Sequence, residues 1–316
     1  MAVTMTAKET MKAVQIHAFG GPEVLRYEDV PRPEPKANEI LVRVQAAGVN
    51  PVDWKIREGH LSGTLPTIMG VDFSGIVESV GSGVTKYRSG DALFGQVADR
   101  SGSYAEHALT MEAYVAHKPE GLDDIRAAAL PVAGLVAWQS LFDIAKLTSG
   151  QTALIHGAAG GVGSFAVQFA KWKGARVIGT ASGDHAAQVR QLGADEVIDY
   201  RKTKFEEVAR DVDVVLDTVG GETQERSWKV LKRGGVLVSL IQQPSAEKAA
   251  AHGVHGFIVY QKGNGDQLAA IADLVVKGKV KVSVETVLPL QDARKAQEMS
   301  KSGHSGGKIV LEMNGR

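Results

Sequence analysis

The chain has 316 residues, 44% of them apolar and 23% charged, enough apolar material for one or two globular domains. Its 36 Lys and Arg balance 36 Asp and Glu, so no global basic field draws it to nucleic acid or to an anionic membrane. It contains no cysteine, which excludes disulfides, thiolate nucleophiles and every zinc site with a Cys ligand. The longest apolar runs, such as Ala127 to Val132, fall short of the roughly 20 residues of a membrane helix. Met1 to Thr10 carries no signal-peptide pattern. The fold is expected to begin near Met11, and the cytoplasm is the expected compartment.

Up to about Asp124 the sequence is strand-like. Lys12 to Ile16, Ile40 to Ala46 and Phe73 to Val80 are short β-rich runs, broken by Gly20-Gly21-Pro22, Pro31 to Pro35 and Gly81 to Gly83. This pattern predicts a compact antiparallel barrel or sandwich. After Asp124 strands alternate with helices. Strands are expected at Thr152 to His156, Arg176 to Thr180, Glu196 to Ile198, Val212 to Asp217, Gly235 to Ser239 and Gly256 to Val259. Helical patterns fall at Gly161 to Lys173, Asp184 to Leu192 and Thr223 to Leu231. Six strands alternating with helices predict a doubly wound parallel sheet. The tail offers helices at Leu268 to Val276 and Gln291 to Met299 and a strand at Lys308 to Glu312; this is not a further βαβ unit, so the tail is expected to return to the first domain.

The strongest chemical signal is His156-Gly157-Ala158-Ala159-Gly160-Gly161-Val162-Gly163, which follows a strand and opens a helix. A dinucleotide pyrophosphate needs a tight turn with no side chain in its way and the amides of a helix N-terminus beneath it. Ala158 stands at the first glycine of G-x-G-x-x-G, with Gly160 and Gly163 at the other two. Ala159, Gly160, Gly161, Val162 and Gly163 are therefore candidate cofactor ligands. The competing reading is a glycine turn that serves helix–sheet packing alone; the strand–turn–helix–strand order favours binding. An NAD site places an acid at the end of the second strand. Here Thr180-Ala181-Ser182-Gly183 leaves room for a 2′-phosphate and offers it hydroxyls, Ser182 among them, while Tyr200 and Arg201 add a phenol and a cation. NADPH is the expected cofactor, with Asp184 as a ribose ligand the alternative.

Ala47 to Asp53, Gly70 to Gly75, the His156 to Gly163 turn and Leu192 to Asp195 together resemble the quinone oxidoreductase (zeta-crystallin-like) branch of the medium-chain dehydrogenases/reductases. The resemblance runs from about Met11 to Leu311. It implies an α/β protein of two parts: a GroES-like, β-rich catalytic domain from 11–125 and 264–316, and a Rossmann domain over 126–263, with the active site in the cleft. The zinc alcohol dehydrogenases of the superfamily carry Gly-His-Glu where this chain has Gly70-Val71-Asp72. No metal site is expected, and the reaction is expected to be hydride transfer to a quinone or an enone, which needs no Lewis acid.

The resemblance places Asn50 and Asp53 as catalytic candidates, Asn50 orienting the nicotinamide or a substrate carbonyl; Asn50-Pro51 reads equally as a turn. Trp54 and Leu61 stand where relatives carry tyrosines, and Val136 where they carry threonine. Cofactor contacts are implied for Thr218, Val219 and Gly220, for Leu240, Ile241 and Gln242, and for Phe257 to Val259. Lys308, in a C-terminal loop beginning at His304, is either near the cofactor or a surface lysine. The nine histidines include no i, i+4 pair and have no Cys partners, so packing or surface roles are expected for most. The expected partners are a small quinone or enone and a second copy of the chain, paired through the sixth strand. Two other functions remain open: an enoyl-thioester reductase, and an NADPH-binding structural or sensing protein with little turnover.

Overall fold

A computed structural model describes residues 9–61, 63–99, 101–303 and 306–313. The chain divides into two compact units. One takes the chain up to Val132, Gly263–Ala272 and the chain from Val284 on; the other is Ala133–Lys262 with Asp273–Ser283.

The first unit is β-rich. Its strands are β1 (Thr10–Ile16), β2 (Arg26–Pro31), β3 (Glu39–Val49), β4 (Thr67–Ile68), β5 (Asp72–Val80), β6 (Ala92–Gln96), β7 (His107–Met111) and β8 (Val115–His117), with helices α1 (Pro51–Arg57) and α2 (Asp124–Ala128). Helix α3 (Pro131–Trp138) follows and continues as a π-turn, Gln139–Ile144. The second unit holds β9 (Thr152–Ile155), α4 (Gly161–Trp172), β10 (Arg176–Ala181), α5 (Ala186–Gln191), β11 (Glu196–Asp199), α6 (Phe205–Val208), β12 (Val212–Asp217), α7 (Gly221–Ser227), β13 (Leu231–Ser239), α8 (Ala246–His252) and β14 (His255–Ile258). The tail adds α9 (Gly265–Val276), β15 (Val284–Pro289), α10 (Ala293–Ser302) and β16 (Lys308–Glu312).

In the second unit the order β11-β10-β9-β12-β13-β14 is parallel throughout, the doubly wound arrangement in which the chain reverses its course between β9 and β12. The reason is legible in β12, Val-Asp-Val-Val-Leu-Asp, buried along its whole length: a strand covered on both faces needs no polar alternation. Helix α4 covers one face by burying Phe165, Ala166, Phe169 and Ala170, spaced three and four apart; each phenylalanine contributes about 2 kcal/mol by leaving water. It ends at Gly174, whose φ of +87° lets the chain turn away. Leu154, Ile178, Val215, Trp228 and Leu237 form the unit's core.

In the first unit a sheet ordered β15-β16-β3-β5-β6-β8, with β7 also on β3, packs with a small sheet ordered β2-β1-β4. The expected antiparallel pattern meets one exception. β15 and β16 run parallel because α10 carries the chain back between them. α10 packs on α1 and buries Ala293 and Ala296 in the core with Val14, Phe73 and Leu311. Among the described residues, no helix is long and apolar enough to cross a membrane.

Candidate functional site

At the carboxyl edge of the parallel sheet the register lays Thr180, His156, Asp217 and Ser239 in a row across β10, β9, β12 and β13. The turn after β9 rests on this row. Its Gly160 has extended backbone (φ −71°, ψ 174°) and caps α4 with no side-chain hydrogen bond, so the amides that open this 12-residue helix are left to a ligand. A Cβ added at Gly160 would meet only Gly157 O, at 3.3 Å. Such a cradle fits a dinucleotide pyrophosphate.

Around the turn stand most of the sequence-derived cofactor candidates. Ala159 is buried and Gly160, Gly161 and Val162 are half-buried, while Gly163 is buried inside the turn. Ser182 follows β10 and is nearly buried; Tyr200 follows β11 and is exposed. Arg201 is held by Asp184, 3.1 Å away, and lies over the Tyr200 ring. Thr218 and Val219 follow β12, Leu240 and Ile241 follow β13, Phe257 lies in β14 and Val259 just beyond it.

Two residues outside that set organise it. The Asp217 carboxylate, fully buried, accepts from Val219 N (3.0 Å), Gly220 N (2.7 Å), Gln224 Nε2 (3.0 Å) and Ser239 Oγ (2.9 Å), and so shapes the loops after both β12 and β13. His156, also fully buried, joins Thr180 Oγ1 through Nδ1 (3.1 Å) and Ser227 Oγ through Nε2 (3.0 Å). Ser227 donates its only hydroxyl proton to Thr223 O (2.7 Å), so Nε2 carries the imidazole proton and Nδ1 accepts from Thr180. Thr180 is thus committed to the histidine, and Ser182 is the hydroxyl that remains beside it. No spacing in the sequence marks either residue. An acid closing an apolar strand and a histidine opening a glycine turn are the only signals.

Burial pushes the His156 imidazole down to about 4. Between that value and the unfolded value near 6.5 the folded chain binds fewer protons, so stability is full above pH 6.5 and is lost as pH falls toward 4, by roughly 3 kcal/mol. His156→Gln, which keeps an N–H and an acceptor, removes this dependence. Denaturant titrations at pH 7 and pH 4.5 should show wild type losing more stability than the variant; equal losses would refute the assignment.

The remaining candidates form a second cluster, within the first unit. β3 lies between β16 and β5, and the pairings Val49↔Ile309 and Gly48↔Asp72 bring Lys308, Asn50 and Asp72 to the same end of three adjacent strands. Asn50 precedes α1 and is 2% exposed; Asp53 and Asp72 are fully buried, and Lys308 is 5% exposed. The Asn50 amide donates through Nδ2 to Asp72 Oδ2 (2.8 Å) and accepts from Lys308 Nζ, which also donates to Val49 O (3.2 Å). Asp72 further accepts Val132 N at 3.1 Å on both oxygens. Asp53 Oδ2 accepts the Asn50 backbone N–H and the Tyr104 hydroxyl, each at 2.8 Å, while Oδ1 is buried without a partner. Burial raises Asp53 to about 7 and Asp72 to about 6, the Lys308 ammonium pulling both back; burial also lowers Lys308, opposed by the two carboxylates. Lys308 therefore stands with Asn50 in the first unit. His304 and Ser305 of its loop lie outside the described residues. Tyr104 carried no sequence signal, and Asp72 figured only as the end of the Gly70-Val71-Asp72 stretch, with no role of its own.

The comparisons agree with this architecture. Residues 36–120 match the family model described as an alcohol dehydrogenase GroES-like domain, and residues 192–311 one described as a zinc-binding dehydrogenase. A quinone oxidoreductase of Rattus norvegicus is 34% identical over 97% of this chain and 99% of its own. An Arabidopsis thaliana chloroplastic NADPH-dependent alkenal/one oxidoreductase is 35% identical over 98% of this chain and 82% of its own. The solved quinone oxidoreductase of Coxiella burnetii superposes with a TM-score of 0.91 at 35% identity, covering 97% of this chain and all of that one. The chain belongs to the quinone oxidoreductase branch of the medium-chain dehydrogenase/reductase family and is an oxidoreductase. The zinc in one description does not fit the residues present. The chain has no cysteine, and among the described residues no three His, Asp or Glu are placed to share a metal.

Proposed function

We propose that the protein is a metal-independent, NADPH-dependent reductase of quinones or α,β-unsaturated carbonyls. The observation that carries this reading is the uncapped start of α4 behind Gly160, where backbone amides, the helix dipole and a turn of glycines and alanines are left for a pyrophosphate. The relatives support it: one is named a quinone oxidoreductase, the other an NADPH-dependent alkenal/one oxidoreductase. When bound, NADPH supplies the hydride.

Ala159 to Gly163 hold the pyrophosphate. Ser182, Tyr200 and Arg201 meet the 2′-phosphate, and Thr218, Val219, Leu240, Ile241, Phe257 and Val259 take the rest of the dinucleotide. Asn50 donates an amide N–H to the carbonyl oxygen of the acceptor as negative charge builds there. Asp53 fixes Asn50 by holding its backbone N–H. The proton that completes the reduction comes from water. The reading includes a homodimer through β14, which lies at one edge of the six-stranded sheet.

The test is NADPH absorbance followed against quinones, enones, enoyl thioesters and saturated ketones, with NADH alongside, before and after dialysis against a chelator. Quinones or enones should be reduced, NADPH should outperform NADH, and chelation should change nothing. Turnover confined to enoyl thioesters would favour the thioester reductase. No turnover with any acceptor would leave an NADPH-binding protein, and activity lost to the chelator and restored by zinc would refute metal independence.

A further inference from the structure

Lys308 is a buried cation with no task in the proposed reduction. A fully buried ammonium is costly, and a buried ion pair is weak evidence of a stabilising role. Its surroundings give it a specific one. The Asn50 amide has two orientations that differ by exchange of Oδ1 and Nδ2. In the one observed, the oxygen faces the Lys308 ammonium and the nitrogen faces the Asp72 carboxylate. The flipped amide would set its NH2 against an ammonium and its oxygen against a carboxylate, two repulsions in place of two charge-assisted bonds.

One Nδ2 hydrogen is taken by Asp72; the other has no acceptor among the described residues. An amide whose oxygen is bonded to a cation is a stronger donor at its nitrogen, because hydrogen bonds in a chain polarise one another. Asp53 holds the backbone of the same residue and Tyr104 holds Asp53, so the amide's support is rigid.

We propose that Lys308 is a positioning residue for the reduction: its ammonium locks and polarises the Asn50 amide, so that the acceptor's oxygen meets an N–H and never a carbonyl. This rests on the reading of the protein as a carbonyl-conjugated reductase. It assigns Lys308 a role exerted through Asn50, with no contact of its own to the cofactor.

The test is a double-mutant cycle on the full chain, with NADPH and 1,4-naphthoquinone as probes. Asn50→Ala and Lys308→Met should each lower kcat by about a hundredfold, the scale of losing an oxyanion-directed donor, with the KM for NADPH unchanged. The double variant should be no slower than Asn50→Ala, because Lys308 acts only through the amide. Lys308→Arg, which keeps the cation, should recover part of the loss.

A second readout needs no turnover. In 15N-labelled protein the Asn50 side-chain amide should be protected from hydrogen exchange, and Lys308→Met should shift its signals and release that protection. Should Lys308→Met fail to fold, Lys308→Met/Asp72→Asn removes the cation and the anion together and should show the same loss. Losses that multiply in the double variant, or an Asn50 amide blind to Lys308→Met, would overturn the proposal while leaving the reductase reading intact. A wild type that reduces no acceptor would overturn both.

Discussion

Gly160→Val should weaken NADPH binding by about a hundredfold or more and leave a folded protein, whereas Gly163→Val, three residues on, should unfold it. The two glycines belong to one turn but meet different surroundings. At Gly160 the backbone is extended, so any residue can adopt it, and the added Cβ meets only a carbonyl oxygen at 3.3 Å, which a shift of a few tenths of an ångström relieves. The valine methyls then stand over the amides that open α4, where the pyrophosphate would lie. An affinity loss of about a hundredfold or more is expected, with a melting temperature only a few degrees lower. At Gly163 the added Cβ runs into the Gly157 carbonyl and lies 2.8 Å from Ala158 Cα. These are backbone atoms of the same turn, pinned by Ala158 N to Thr180 O (2.9 Å) and by Gly160 N to Gly157 O (3.0 Å), so they cannot yield. The cost is roughly 3 kcal/mol or more. Melting temperature and NADPH titration on both variants read the contrast. A destabilised Gly160→Val with wild-type affinity would mean that the turn serves packing.

The turn was legible in the sequence, but the contrast was not: spacing made Gly160 and Gly163 alike candidate ligands, and only the backbone packed around Gly163 separates them. The six strands of the parallel sheet were legible for a local reason: apolar runs such as Val212–Asp217 begin and end at polar or glycine residues. Helix α3 and its π-turn were not. Pro131–Trp138 is apolar on every side, and a helix buried all round shows no period. β15 was missed because Val-Glu-Thr-Val-Leu-Pro is a half-exposed strand that becomes one only by pairing with β16. The cluster around Asn50 lay beyond local reading altogether. Lys308 and Asn50 are 258 positions apart, and only the register of β16 on β3 brings them together. The resemblance had Lys308 near the cofactor or at the surface; the strand start that buries it follows from tertiary pairing.

Asp217→Asn should weaken NADPH binding about tenfold while the sheet survives, and Asp217→Ala should cost roughly 3 kcal/mol or more of stability. The carboxylate is an acceptor for four donors from three directions. Alanine leaves all of them buried without it. Asparagine keeps the shape and replaces one acceptor by an NH2. If that NH2 faces Val219 N and Gly220 N, it opposes two backbone donors, which cannot turn. If it faces Gln224 and Ser239, the serine hydroxyl can rotate to accept, but Gln224 cannot flip: its Oε1 is held by Gln242 Nε2 (3.0 Å) and its Nε2 also reaches Gln242 O (3.2 Å). Gln242 in turn accepts Gly221 N (3.2 Å), so the disturbance passes along one hydrogen-bond chain into the loop after β12 and the loop after β13. Both loops carry residues assigned to the dinucleotide, Thr218 and Val219 in one and Leu240 and Ile241 in the other. The expected signature is therefore an affinity loss out of proportion to the loss of stability. Calorimetric titration with NADPH and thermal unfolding on the same preparation measure the two. An Asp217→Asn protein that binds NADPH as tightly as wild type would show that the loops after β12 and β13 take no part in holding the cofactor.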